Sequence, residues 1–287
     1  MRPLGLGAGD PNLHIENGAL GLAYELPEGP AAARIWPGPE GAAAELWGPG
    51  AEALAAALPA LLGHLDENPP LPPLPGALAP RLGLQLAPFG GLRMCRAPAL
   101  WPSFLRVVLG QLVTFVEARR SWAGLLRAHG RPAPGPLGLL LPPTPEQLAH
   151  LPTAHLVALG VPDRMARTLR SGAQQVRRIE RARTADPDQA AALLQSLPGV
   201  GPWTAQVLLR DAIGDADAVP TGDYHLPNTV AWALAGEPRA DDARMLSLLE
   251  PLRPARGRFL RRLEAAGVHA PRYGPRSAPR ALDPDRD

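Results

Sequence analysis

Two side chains that often carry covalent and metal chemistry are nearly missing from this chain. All 29 basic residues are arginine, and none of the 287 residues is lysine. A GC-rich coding bias accounts for this and for the abundance of Ala, Gly and Pro, but the chemical consequence holds whatever the cause. There is no lysine amine to form a Schiff base with a carbonyl. Cys95 is the single cysteine, which excludes an internal disulfide, a cysteine-based zinc site and a four-cysteine iron–sulfur cluster. It fits a reducing compartment. No apolar run nears the ~18 residues of a membrane span. Behind Arg2 there is no continuous apolar segment of the secretory kind. A cytoplasmic protein with no membrane partner is expected.

What is present is a folded chain's hydrophobic fraction of 46%, long enough for one large or two moderate domains. The net charge of +2 is unevenly spread. Residues 1–100 hold 5 Arg against 9 acidic residues, whereas residues 101–287 hold 24 Arg against 18. Within 251–280 there are 8 Arg and a single acid, Glu264. A polyanion would meet the C-terminal two-thirds, although exposed arginine-rich helices also occur without one.

Short β-like runs open the chain near Asn12–Glu16, Leu20–Leu26, Ala31–Trp36 and Ala42–Trp47, separated by Gly/Pro turns. A helix is predicted over Ala51–Leu65. The run Pro69-Pro-Leu-Pro-Pro-Leu-Pro75 cannot be helix or central strand, which puts a boundary within 66–95. Three segments are expected: a small β-rich α+β domain with its linker over 1–90, a helical domain over 91–268, and a tail over 269–287, partly ordered at most. In the helical part, Phe104, Leu105, Val108, Leu109 and Leu112 keep helical spacing. A helix follows from Thr114 to about His129, then a Pro/Gly-rich loop over 131–145. Further helices are predicted over 145–151, 154–159, 162–183, 189–196, 202–213, 223–236, 240–250 and 255–266.

The most specific motif is Leu197-Pro-Gly-Val-Gly-Pro-Trp-Thr-Ala205. Gly199 and Gly201 bracket Val200, permitting a sharp turn and close backbone approach to a ligand. Val200 would pack between the flanking helices. Pro202 suits the first turn of the second helix, whose unpaired amides would face a phosphate oxygen. Such a contact fixes a nucleic-acid backbone and reads no bases. An ordinary helix–turn–helix corner is the bland alternative. Asp223, in Thr221-Gly-Asp-Tyr-His-Leu226, sits 20 residues after Trp203. It is also well suited to cap a helix.

With Leu109-Gly-Gln-Leu-Val-Thr114, Pro142-Pro-Thr-Pro-Glu146, Ala158-Leu-Gly-Val161, the hairpin and Gly222-Asp-Tyr224, residues 95–266 resemble the helix–hairpin–helix DNA glycosylase superfamily. Within it they are most similar to the 3-methyladenine DNA glycosylase II family. Residues 1–90 look like that family's β-rich domain in outline. The resemblance implies a mostly α fold with two helical subdomains. It also implies a monomer acting on damaged double-stranded DNA without metal, cofactor or iron–sulfur cluster. Asp223 is then the catalytic carboxylate, stabilising positive charge on the sugar as the base leaves. An alkylated purine already carries positive charge, so one carboxylate suffices.

The resemblance places Gly199, Val200, Gly201, Thr204, Gln111, Leu112 and Arg256 on DNA. Leu112 is the wedge that fills the gap left by a flipped nucleotide, or else part of its helix's apolar stripe. Arg256 contacts phosphate or pairs locally. Trp203, Val207 and Tyr224 line the base pocket, Trp203 stacking there unless it is a core residue. Trp203 occupies the position at which bifunctional relatives carry a lysine, so hydrolysis without strand cleavage is expected. Val207 stands where the family's type has a tyrosine, which loosens the inference about substrate. Two alternatives remain: a silent helix–hairpin–helix DNA-binding protein, and a related glycosylase for deaminated or etheno bases.

Overall fold

Asn17 and Gly18 both have positive φ (50° and 76°), the backbone that a two-residue hairpin demands and that Asn-Gly supplies at low cost. They join β1 (Leu13–Glu16) to β2 (Ala19–Leu26). β3 (Gly29–Gly38) and β4 (Gly41–Trp47) complete an antiparallel meander in the order β1-β2-β3-β4. Three or four strands are expected here, and four are present. The structure, a computed structural model, describes residues 5–7, 9–39 and 41–271. The expectation of a loosely ordered tail over 269–287 lies almost wholly outside them.

The described residues fall into two compact units. One takes the chain up to Leu61 and Ala97–Val200; the other takes Leu62–Arg96 and the chain from Gly201 onward. This division differs from the boundary expected within 66–95. The β-sheet groups with the first half of the helical region, and the proline-rich stretch groups with the last helices.

In the first unit, α1 (Ala51–Leu61) packs on β3 and β4 and buries Leu54 and Leu61 fully. It stops four residues before the predicted end. Ala23 and Ala32 face each other across β2 and β3, and their small side chains admit Leu139 and Leu141 against the sheet. That segment lies in the predicted 131–145 loop and forms a two-residue ladder, β5 (Arg131–Pro132) with β6 (Leu140–Leu141). Asp10 ties the start of the chain to the helices. Its Oδ1 accepts from the Trp122 indole (2.7 Å) and from the Asn12 amide (3.0 Å). The Asn12 side-chain amide donates to the carbonyls of Ala23 and Leu140, both at 2.9 Å.

Helix α3 (Trp101–Leu109) buries Phe104, Leu105 and Val108. Its amino end has no side-chain cap of its own. Glu180 supplies one from a distance, accepting the Leu100 and Trp101 amides at 2.9 Å. Burial pushes the Glu180 carboxyl up, and those two amides partly counteract it. α4 (Phe115–His129) begins with a capping box in which Thr114 and Glu117 satisfy each other's backbone N–H. α5 (Pro145–His150) and α6 (Thr153–Ala158) follow. The single helix predicted over 162–183 is two, α7 (Asp163–Gln174) and α8 (Val176–Ala182), broken at Gln175. Just before the break, Gly172 accommodates the Phe104 ring; a Cβ there would lie 2.3 Å from it. α9 (Pro187–Gln195) is capped by Asp186.

The second unit contains a helix within the expected boundary region over 66–95, α2 (Ala79–Leu86). Its Leu82 and Leu86 join a core with Val230, Leu234, Met245, Leu249, Phe259 and Leu263. Those residues come from α11 (Leu226–Ala235), α12 (Asp242–Leu249) and α13 (Arg256–Ala265). The proline-rich stretch is anchored by charge. Arg258, 2% exposed, forks onto both oxygens of Asp66 (2.7 Å each) and onto the Asn68 amide oxygen at 2.8 Å. Arg262 adds Asn68 and the Gly90 carbonyl.

Burial alone would raise the Asp66 carboxyl; the Arg258 hydrogen bond and the Met94 and Asn68 amides outweigh it and hold the pKa at about 2 against an ordinary 3.8. The pair's stabilisation, about 2 kcal/mol, is therefore fully present above pH 4 and lost as pH falls through 2. Urea unfolding between pH 5 and about 2 should show that loss. Asp66→Asn should lower stability at pH 7 and flatten the dependence in this window; an unchanged pH profile would contradict the assignment.

Candidate active site

Helix α10 (Pro202–Leu208) runs on through a π-helical turn, Leu209–Ile213, to Gly214 in left-handed conformation. The chain then makes an irregular loop before α11, and that loop is held along its length. The Asp217 amide donates to Asp215 Oδ1 at 2.8 Å, and the Ala216 carbonyl accepts from the Arg258 amide at 2.9 Å. The Val219 amide donates to Gln206 Oε1 (3.2 Å), and the Gly222 amide to Asp242 Oδ2 at 2.7 Å. Gly222 has φ of +82°, which a side chain would resist. Gly257 lets α13 approach the loop; a Cβ there would come within 2.7 Å of the Ala218 carbonyl.

This loop delivers Asp223 to the start of α11. Its Oδ1 accepts the backbone N–H of His225 (2.8 Å) and Leu226 (2.9 Å), so it satisfies two of the donors that a helix leaves open. Its Oδ2 accepts the indole N–H of Trp203 at 2.9 Å. One oxygen of this side chain caps the helix and the other holds the Trp203 indole. Three neutral donors fix its plane, and the second lone pair of Oδ2 has no partner among the described residues. A carboxylate held this way is preorganised to face positive charge without rearrangement. The resemblance implies a stacking role for Trp203, with a core position as the alternative. The structure adds that Trp203 orients Asp223, a contact that spacing alone does not reveal. Val207 is half-buried in the same helix, and the Tyr224 ring is 86% exposed, edge-on to His225.

Two expected DNA contacts need correction, and for Arg256 the local alternative is the one observed. The Arg256 side chain is engaged with Asp217: Nε and one terminal nitrogen fork onto its carboxylate at 2.8 and 2.6 Å. It holds the loop, the local role, and its fork is not free for phosphate. The Thr204 side chain is 2% exposed and presents nothing to a strand. Gln111, 6% exposed, donates from Nε2 to the Gly199 carbonyl at 3.1 Å, so it braces the turn from within. For Leu112 it is the helical-stripe alternative that falls. α3 ends at Leu109, so Leu112 is not on the helical stripe. It sits in a turn with φ of +54° and is 82% exposed. A leucine in left-handed conformation with its side chain in water is doubly unfavourable.

The two hairpin glycines differ. Gly199 has φ of +82°, and a Cβ would lie 1.9 Å from Thr168 Oγ1. The fold itself requires glycine there. Val200 is buried, as expected. Gly201 has an ordinary φ of −95°, is exposed, and a Cβ would meet nothing within 4 Å. No side chain caps α10 at this end. Gly199→Ala should therefore cost about 2 kcal/mol or more of stability, read by urea unfolding. Gly201→Ala should leave stability unchanged within about 0.5 kcal/mol. It should nevertheless weaken binding of whatever approaches these amides. Equal loss of stability in both variants would show that neither glycine is reserved for a ligand.

No protein-family model matches the chain. Among curated proteins, it is 35% identical over 126 residues to a protein of Mycobacterium tuberculosis named probable bifunctional transcriptional activator/DNA repair enzyme AlkA, covering 42% of this chain and 25% of that one. It is 30% identical over 136 residues to DNA-3-methyladenine glycosylase 2 of Escherichia coli, covering 47% and 48%. The chain thus matches between a quarter and about half the length of these relatives. Among solved structures, a 3-methyladenine DNA-glycosylase from Archaeoglobus fulgidus aligns with a TM-score of 0.75 at 19% identity, over 93% of each chain. An 8-oxoguanine glycosylase/lyase from Clostridium acetobutylicum, in complex with duplex DNA, aligns at 0.67 and 12% identity, over 90% of this chain and 87% of that one. The chain is a homologue of proteins named AlkA and DNA-3-methyladenine glycosylase 2, and it carries the fold of the helix–hairpin–helix DNA glycosylases.

Proposed function

We propose that the chain is a DNA glycosylase that hydrolyses the bond between an alkylated purine and its deoxyribose in duplex DNA. The observation that carries this is the Asp223 carboxylate, fixed by the Trp203 indole and two backbone amides with one lone pair left open. As the C1′–N bond breaks, its electron pair leaves with the base and positive charge gathers on the sugar. Asp223 stabilises that charge until water adds at C1′ and loses a proton. A cationic alkylated base departs as a neutral molecule, so no acid need protonate it. The relatives' names support this substrate class. The exposed Tyr224 ring offers a stacking surface for an electron-poor base.

Anchoring falls to the turn, where Gly201 and the uncapped start of α10 present amides to a strand. Leu112 fills the space vacated by the extruded nucleotide. The solved relatives include both a glycosylase and a glycosylase/lyase, so the fold leaves strand cleavage open. The chemistry argues against it. A lyase forms a Schiff base through an amine, and this chain has no lysine.

The test is release of methylated purines from duplex DNA. The wild type should release base, and Asp223→Asn should fold and bind DNA but lose at least about 100-fold in single-turnover rate. In that variant an amide N–H would confront the Trp203 indole N–H. Trp203→Phe keeps the ring and removes the donor, and should lower the rate about 10-fold with little change in DNA affinity. Full activity in Asp223→Asn contradicts the assignment. Binding without base release by the wild type leaves a silent DNA-binding protein. Release confined to hypoxanthine or ethenoadenine favours the related substrate class. Borohydride should trap no efficient adduct on abasic DNA; a covalent adduct outside the N-terminal amine would contradict hydrolysis.

A further inference from the structure

Leu112 does not stand alone. Phe115 is 60% exposed and Val116 39%, so three large apolar side chains face water within five residues at the start of α4. The Phe115 ring lies over Gly7, which brings no side chain to cover it. Water-exposed apolar side chains, one of them aromatic, clustered at a strained turn and the helix start beside it mark a surface that a partner covers. The turn is built for rigidity. Gln111 ties it to the Gly199 carbonyl, and the Thr114–Glu117 capping box fixes the first helical turn, on which Phe115 stands.

We propose that Phe115 and Leu112 form a two-residue apolar plug for duplex DNA opened at one base pair. Leu112 enters the gap, and Phe115 packs on the base left without a partner. The inference rests on the DNA glycosylase reading above and extends it to the opposite strand. The features of the turn select this occupant. An unpaired base presents a flat apolar face, which an aromatic side chain covers well. Both residues sit on a backbone braced against Gly199, in the turn that anchors the strand. Arg120, exposed on the following turn of α4, supplies positive charge for the adjoining phosphates. The single acid of that stretch, Glu117, has its carboxylate on the Thr114 amide. A read of the unpaired base through its face discriminates by stacking area rather than by hydrogen bonding, so purines opposite the lesion are favoured over pyrimidines.

The test measures binding to duplexes carrying a tetrahydrofuran abasic analogue, alongside the same strand unpaired. Phe115→Ala should weaken binding to the duplex about 10-fold and leave the single strand within about two-fold. Phe115→Trp should retain duplex affinity. Removing the opposite base, with a second tetrahydrofuran, should cost the wild type affinity and leave Phe115→Ala indifferent. Thermal unfolding of both variants should match the wild type, because the side chain is exposed. Equal losses on single and double strands, or no loss at all, would overturn the proposal. Base release by the wild type is scored separately. If it fails while the duplex-specific loss persists, the plug stands and the catalytic reading falls. If the wild type releases base while Phe115→Ala behaves like it throughout, the reverse holds.

Discussion

Everything assigned to catalysis depends on one carboxylate and the donors that hold it. Asp223 takes two backbone amides on one oxygen and an indole N–H on the other. None of these donors is charged, so they orient the group without neutralising it. Charge stabilisation in a transition state is most effective when the stabilising group need not reorganise as the charge appears. The surrounding loop is itself held in place. Gln206, Asp242 and the α13 backbone hold it directly, and Asp217 ties it to two arginines.

Arginine supplies this scaffolding in a chain without lysine. Its planar fork binds a carboxylate at two points and keeps its charge when buried. Arg256 on Asp217, Arg258 on Asp66 and Arg210 on Asp211 all do so. Arg210 is 6% exposed, and its pairing with Asp211 and Glu264 outweighs the cost of burial, so its pKa is raised and it stays charged. The arginine-rich C-terminal stretch that suggested a polyanion from composition is therefore partly structural. Arg253, Arg256, Arg258, Arg261 and Arg262 all have partners within their own unit.

Local patterns were legible in the sequence; long-range commitments were not. The strands could be read because turn residues punctuate them, and the helices because apolar residues recur at helical spacing. α2 escaped notice because it adjoins a proline-rich run and is short. The exit of Leu112 from α3 was hidden because its spacing continues the stripe, while the turn after Leu109 leaves it. Arg256 stays open between phosphate and a local partner in the sequence because its partner Asp217 lies 39 residues away. Trp203 was identified, but the direction of its N–H is a tertiary fact. The asymmetry of the hairpin is of the same kind. Gly199 is glycine because of Thr168 on another helix, and Gly201 has no such reason among the described residues.

We propose that Asp223, held by Trp203, recognises positive charge on the sugar. This is tested most directly by comparing two abasic analogues in the same duplex, a cationic pyrrolidine and a neutral tetrahydrofuran. The wild type should prefer the cation by at least about 10-fold. The preference should vanish in Asp223→Asn while affinity for the neutral analogue stays the same. Equal affinity of the wild type for both analogues, or a preference that survives in Asp223→Asn, would contradict the account.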